Sequence, residues 1–123
     1  MKELTKAEED IMQYLWKLEK AAVKEIVAEF PEPKPANNTV STIVRILEQK
    51  GFVGHEPKGR GYVYFPIISK EKYQGFSAKN LMRSYFEGSL SKMVSFFVEK
   101  EDLNAKELDD ILKIINQKKE QWF

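Results

Sequence analysis

The chain has no cysteine and a single histidine, His55. The first absence excludes disulfides, thiolate metal sites and cysteine nucleophiles, and fits a reducing compartment. One histidine without cysteine makes no metal site, and no catalytic partner accompanies it. No Walker loop, dinucleotide glycine pattern or nucleophile elbow occurs. No enzymatic activity, metal or cofactor is therefore expected. No apolar run approaches the roughly 18 residues of a membrane span. The charged start, MKELTKAEED, lacks the apolar region of a signal peptide. A cytoplasmic protein without membrane insertion is the expectation. Internal repeats and low-complexity tracts are also missing.

What is present suits one folded domain, or one small domain with an appendage: 123 residues, 42% of them hydrophobic. A core of this size is modest, so association can add stability. The net charge of +1 hides a segregation. Residues 1–33 hold five Lys against eight Asp or Glu, a net of −3. Residues 34–65 hold Lys34, Arg45, Lys50, Lys58 and Arg60 against Glu48 and Glu56, a net of +3. A local basic excess of this kind is what phosphate binding needs, and its modest size predicts weak, salt-sensitive affinity from one copy.

Thr5 and Glu8 have capping-box spacing, followed by Ala7, Ile11, Tyr14, Leu15 and Leu18 at helical intervals. A second helix fits Val23 to Phe30, although Ala21-Ala22 offers no capping side chain; Pro31, Pro33 and Pro35 forbid its continuation. A third begins near Asn37 or Asn38, either of which can cap it. Val40, Ile43, Val44 and Leu47 form its inward face with Ile46 beside them, and Gly51 ends it. Phe52–Glu56 and Tyr62–Phe65 read as strands around the turn Pro57-Lys58-Gly59-Arg60-Gly61, whose glycines are free to take positive φ. The acidic pairs Glu8-Glu9 and Asp109-Asp110 read as solvated.

A helix followed directly by a basic-tipped ribbon is the second half of a winged helix. The fold class expected is mainly α with a small β-hairpin: a winged helix-turn-helix domain over 1–67, then a helical dimerisation domain over 68–123. The third helix offers Thr39, Ser41, Thr42 and Arg45 on its outer face. Arg can read guanine by a bidentate pair, and Thr and Ser suit phosphates or a thymine methyl. Asn37 and Asn38 lie at the helix N-terminus, which favours phosphate. Lys58, Arg60 and the Tyr62 hydroxyl are candidates for the adjacent backbone. Tyr64 has the same chemistry, and one or both tyrosines can instead pack the ribbon onto the helices.

From Ser69 onward the pattern is helical only, with helices over Ser77–Gly88, Ser89–Lys100 and a last one opened by Asn104 and Glu107. Gly88 is a kink or break, and Glu99–Asp102 a polar joint. Leu81, Tyr85 and Phe86, then Leu90, Met93, Val94 and Phe97, and finally Leu108, Ile111, Leu112 and Ile115 form apolar faces that such helices cannot bury alone. Pairing with a second copy is favoured over folding back, and it gives the basic patch a second half-site. A second reading keeps the same core as a winged-helix protein-interaction module without sequence-specific DNA binding; the net +3 over 34–65 favours DNA.

Four segments, in order, resemble the penicillinase-repressor (BlaI/MecI) family of bacterial regulators: LTKAEEDIMQYLW, EIVAEF, NNTVSTIVRILEQKGFV and MVSFFVEKEDL. The resemblance covers nearly the whole chain. It implies a homodimeric winged-helix repressor on a palindromic double-stranded operator. It also implies release through a membrane-bound sensor protease, with cleavage in the segment matching Val94 to Val98, here at Phe96–Phe97. The family's usual Asn before that bond is Phe96 in this chain. Ser41 replaces an Arg of several members, and Ile46 a frequent Arg or Lys. A cysteine-rich, copper-responsive tail of one family branch is absent.

Overall fold

A computed structural model describes residues 1–122, which form six helices and one antiparallel hairpin: α1 (Lys6–Leu18), α2 (Val23–Glu29), α3 (Asn37–Gln49), β1 (Val53–Lys58), β2 (Gly61–Pro66), α4 (Lys70–Phe86), α5 (Leu90–Glu99) and α6 (Ala105–Trp122). The fold is a winged helix-turn-helix followed by a helical region, as the sequence predicts. The chain divides into two compact units, Met1–Ser77 and the part from Ala78 onward, with the division inside α4.

In the first unit, α1 opens with a complete capping box. Thr5 Oγ1 accepts from the Glu8 N–H at 3.2 Å, and Glu8 Oε1 accepts from the Thr5 N–H at 2.8 Å. Ile11, Met12 and Leu15 are fully buried. Ala7, expected on this inner face, is exposed, and Glu8, expected in solvent, is buried at 4% relative exposure. The reason is a partner the sequence places 42 residues away: Lys50 Nζ donates to both Glu8 carboxylate oxygens at 2.8 Å. A carboxylate can leave water when a cation and backbone donors follow it.

At α2, Glu25 Oε1 accepts from the Ala22 N–H at 2.9 Å, so the helix start is held without a capping hydroxyl. It stops before Pro31, and Lys34 Nζ donates to the Ala28 and Phe30 carbonyls. The N-cap of α3 is Ala36, not Asn37 or Asn38; both asparagines are already helical, and no side chain caps this end. The other end closes in a Schellman motif. Gly51 N–H donates to Glu48 O at 3.0 Å and Phe52 N–H to Leu47 O at 2.9 Å, with Gly51 at φ +83°. Phe52 is thereby turned into the core beside Leu47, where both are almost fully buried.

The hairpin pairs Val53 with Pro66 through Lys58 with Gly61. Pro57, Lys58 and Gly61 therefore belong to strands, and the five-residue turn expected from sequence is only Gly59-Arg60. Gly59 alone takes positive φ, +61°, as the first central residue of a type II′ turn does. A β-bridge missed in the sequence joins Ala21 to Tyr64, with N–H to carbonyl distances of 2.9 and 2.8 Å. A Cβ at Gly54 would meet the outer edge of the Phe65 ring at 2.8 Å, so a larger residue there would have to displace that half-buried ring.

Helix α4 starts seven residues before the expected Ser77. Ser69 Oγ accepts from the Lys72 N–H, and Tyr73 is buried against Phe52, ring centroids 5.6 Å apart. The Tyr73 hydroxyl accepts from Leu4 N–H at 2.9 Å and donates to Glu9 at 3.3 Å; Trp16 Nε1 donates to Ile68 O at 2.9 Å. Burial raises the Tyr73 pKa; the Leu4 N–H opposes this and Glu9 adds to it, so the hydroxyl keeps its proton.

In the second unit, Gly88 at φ +76° breaks α4 from α5, and Ser89 caps α5. Phe96 lies between Phe86 and Phe97, with centroids at 5.7 and 5.5 Å. Asn104 Oδ1 accepts from the Glu107 N–H at 2.8 Å and opens α6. Asp109 and Asp110 are exposed, as expected. No described residue of α5 or α6 is fully buried, and Leu81, Tyr85, Leu90, Leu112 and Ile115 are exposed.

Candidate nucleic-acid interface

Helix α3 turns Val40, Val44 and Leu47 into the core. Residues three and four apart share a face, so the opposite side carries Asn38, Thr42, Arg45 and Gln49 in one exposed stripe. Gln49 is an addition; its spacing from Thr42 and Arg45 signals it, and its amide can pair with adenine. Asn37 and Thr39 are also exposed at the helix start, while Ser41 is half-buried on the flank. Thr42 Oγ1 donates to Asn38 O at 2.9 Å, so its hydroxyl proton is engaged within the helix while the oxygen can still accept. Ile46, expected beside the inward face, is 37% exposed and flanks the stripe.

The ribbon brings a second set of groups. Lys58, Arg60 and Tyr62 are exposed, whereas Tyr64 is 8% exposed and packs the ribbon onto the helices. Of the two tyrosines, only Tyr62 can offer its hydroxyl to a phosphate. Its ring stands edge-on to His55, centroids 5.1 Å apart. His55 Nδ1 in turn hydrogen-bonds the Glu48 carboxylate, joining the ribbon to the flank of α3. Glu56 pairs with Lys20 at 2.6 Å.

These contacts redistribute the charge counted along the sequence. Lys50 is neutralised by Glu8, and Lys34 is committed to the carbonyls at the end of α2. Arg45, Lys58 and Arg60 have no carboxylate partner among the described residues. The same residues hold no cluster of three or more His, Asp or Glu suited to a metal ion. No described helix is long and apolar enough to cross a membrane.

The sequence model of the penicillinase repressor family matches residues 4–117, most of the chain. The chain belongs to the penicillinase repressor family. It is thus a DNA-binding transcriptional repressor, not an enzyme. Among similar proteins, the methicillin resistance regulatory protein MecI of Staphylococcus aureus strain N315 is 26% identical over 117 residues, 94% of this chain and 95% of its own. The penicillinase repressor of Bacillus licheniformis is 25% identical over 118 residues, 95% of this chain and 92% of its own. That of Staphylococcus aureus is 26% identical over 115 residues, 93% and 91% of the two chains. The match of this penicillinase repressor family member runs through both units, so the tail is part of the shared architecture and not an unrelated appendage.

Proposed function

We propose that the chain represses transcription as a homodimer bound to a palindromic operator. In each copy α3 enters a major groove. Arg45, Thr42 and Ser41 face base edges; Asn37, Asn38 and Thr39 approach phosphate at the helix start; Lys58, Arg60 and Tyr62 of the wing hold the adjacent backbone. The observation that carries this reading is the exposed α3 stripe with an unpaired arginine, beside a ribbon tip whose two cations are also unpaired. Residues 1–67 with the first turns of α4 form the DNA-binding part. The helices that follow form the dimer through Leu81, Tyr85, Phe86, Leu90, Met93, Val94, Phe97, Leu108, Ile111, Leu112 and Ile115. Support for pairing comes from the apolar faces of α5 and α6, where no described residue is fully buried.

Occupancy of two half-sites excludes polymerase, so whatever weakens the dimer weakens repression steeply. Release by a sensor protease acts on this dependence. The Phe96–Phe97 bond lies inside α5, and Phe96 is 45% exposed. Intact-mass measurement during induction tests cleavage there, with fragments ending at Phe96 as the expected product.

The function itself is tested by mobility shift on the DNA upstream of the chain's own gene, with sedimentation of the free protein. A discrete, salt-sensitive complex containing two copies is expected. Salt-insensitive behaviour with no shifted complex would identify a protein-interaction module instead.

A further inference from the structure

His55 stands apart from the readers of the operator. It lies on β1, two residues past the start of the strand, and its Nδ1 faces the Glu48 carboxylate on α3. Glu48 follows Arg45 by three residues, so its carboxylate lies one turn along the same side of the helix. A negative charge there repels the phosphates that Arg45, Lys58 and Arg60 attract. A neutral imidazole offers Glu48 one hydrogen bond from Nδ1–H, while a protonated one also cancels its charge.

The other titratable groups around the ring leave this role to His55. From β2, Tyr62 stands edge-on and the buried Tyr64 lies at 5.9 Å; neither brings a carboxylate or a cation to the ring. On β1 the neighbouring Glu56 is turned to Lys20, at 2.6 Å. On α3 the charged neighbours are Glu48 itself and Arg45. The contact also has a mechanical side: Glu48, His55 and Tyr62 form a continuous path from the recognition helix to the strand that leads out of the wing tip.

We propose that His55 is a positioning residue of the operator interface: it masks the Glu48 carboxylate and holds the wing to the recognition helix, so that protonation of the imidazole tightens DNA binding. The proposal rests on the DNA-binding reading of α3 and the wing. Imidazole is the side-chain type whose ordinary charge change falls between about pH 5 and 8. Removing one unit of repulsion several ångströms from phosphate across solvent corresponds to roughly threefold in affinity per half-site, and so about tenfold for two.

The experiment is operator binding by fluorescence anisotropy at fixed ionic strength from pH 5.5 to 8, for the full chain and for His55→Gln, Glu48→Gln and Arg45→Ala, with circular dichroism at each pH. The expected result is that affinity falls about tenfold across the range in the unaltered protein. Both His55→Gln and Glu48→Gln should flatten the profile, and Glu48→Gln should bind at pH 8 as tightly as the unaltered protein does at pH 5.5. A flat profile in the unaltered protein overturns the proposal. So does a profile that survives in Glu48→Gln, which would mean that His55 touches phosphate directly. Failure of the underlying reading looks different: no operator complex at any pH, or a complex indifferent to Arg45→Ala.

Discussion

Lys50 Nζ lies 2.8 Å from both carboxylate oxygens of Glu8, joining the C-cap of α3 to the first turn of α1. Glu8 also closes the α1 capping box, so one buried carboxylate serves a helix start and a helix packing angle at once. Removing one partner strands the other. Lys50→Met should cost about 1–3 kcal/mol, below the range for fully buried pairs because the lysine keeps a quarter of its side chain in water. Urea denaturation followed by circular dichroism measures it.

The same pair predicts an acid-labile contribution to stability. Burial opposes ionisation of Glu8, but hydrogen bonds from Lys50 and from the Thr5 backbone and hydroxyl outweigh it, and the pKa lies below the usual carboxylate value. A carboxyl depressed in the folded state stabilises fully above its unfolded value of about 4.3 and loses that contribution as pH falls through the lower folded value. Unfolding midpoints of the unaltered protein and Glu8→Gln should therefore differ by a constant amount above about pH 4.3 and draw together progressively as pH falls below it.

Arg45→Ala should cost about 1–3 kcal/mol on the cognate operator and relax the base preference at one position of each half-site. Selection from randomised operators reads both effects. An unchanged preference would remove Arg45 from the base-reading set.

Lys58→Ala and Arg60→Ala should behave differently, weakening binding to every sequence and lowering the slope of log affinity against log salt by about one for each phosphate no longer neutralised. Titration at several salt concentrations on operator and random DNA separates the two classes.

Gly51 is the one glycine whose replacement tests the recognition helix itself. Nothing lies within 4 Å of an added Cβ, so the cost of Gly51→Ala is that of a left-handed backbone at φ +83°, about 1–2 kcal/mol. Operator affinity measured well below the unfolding midpoint should change little, because the α3 stripe is not touched.

In the second unit, Phe97→Asp should abolish dimers in sedimentation and lower operator affinity by roughly 10²–10⁴-fold, the reduction expected when two linked sites become independent. A dimer that persists would move the interface away from α5.

Much of the fold was legible in the chain because its signals are local. Thr5 with Glu8, Val40-Val44-Leu47 and Gly51 each depend on residues within one or two turns, and the hairpin itself was legible although its turn was read as Pro57–Gly61 and is only Gly59-Arg60. The misreadings share the opposite property. Tyr73 enters the first unit's core through Phe52, Trp16 and Leu4, and Glu8 is buried through Lys50; no window of neighbouring residues contains either set. Asn37 and Asn38 failed as caps because Ala36 already holds the extended backbone at the boundary.

By itself the sequence determined the order of helices and ribbon, the end of α3 and most of its outward face, since helical periodicity and glycine stereochemistry act at short range; the exposure of Gln49 and Ile46 and the half-burial of Ser41 came only with the packing. Only the tertiary structure decided which charges remain to meet DNA. Lys50 and Lys34 belong to the basic segment by position but are taken by Glu8 and by the carbonyls of α2, while Glu56 is matched by Lys20 and Glu48 is held in a hydrogen bond by His55. A charge count adds residues along the chain; the field at a surface depends on which of them meet in space.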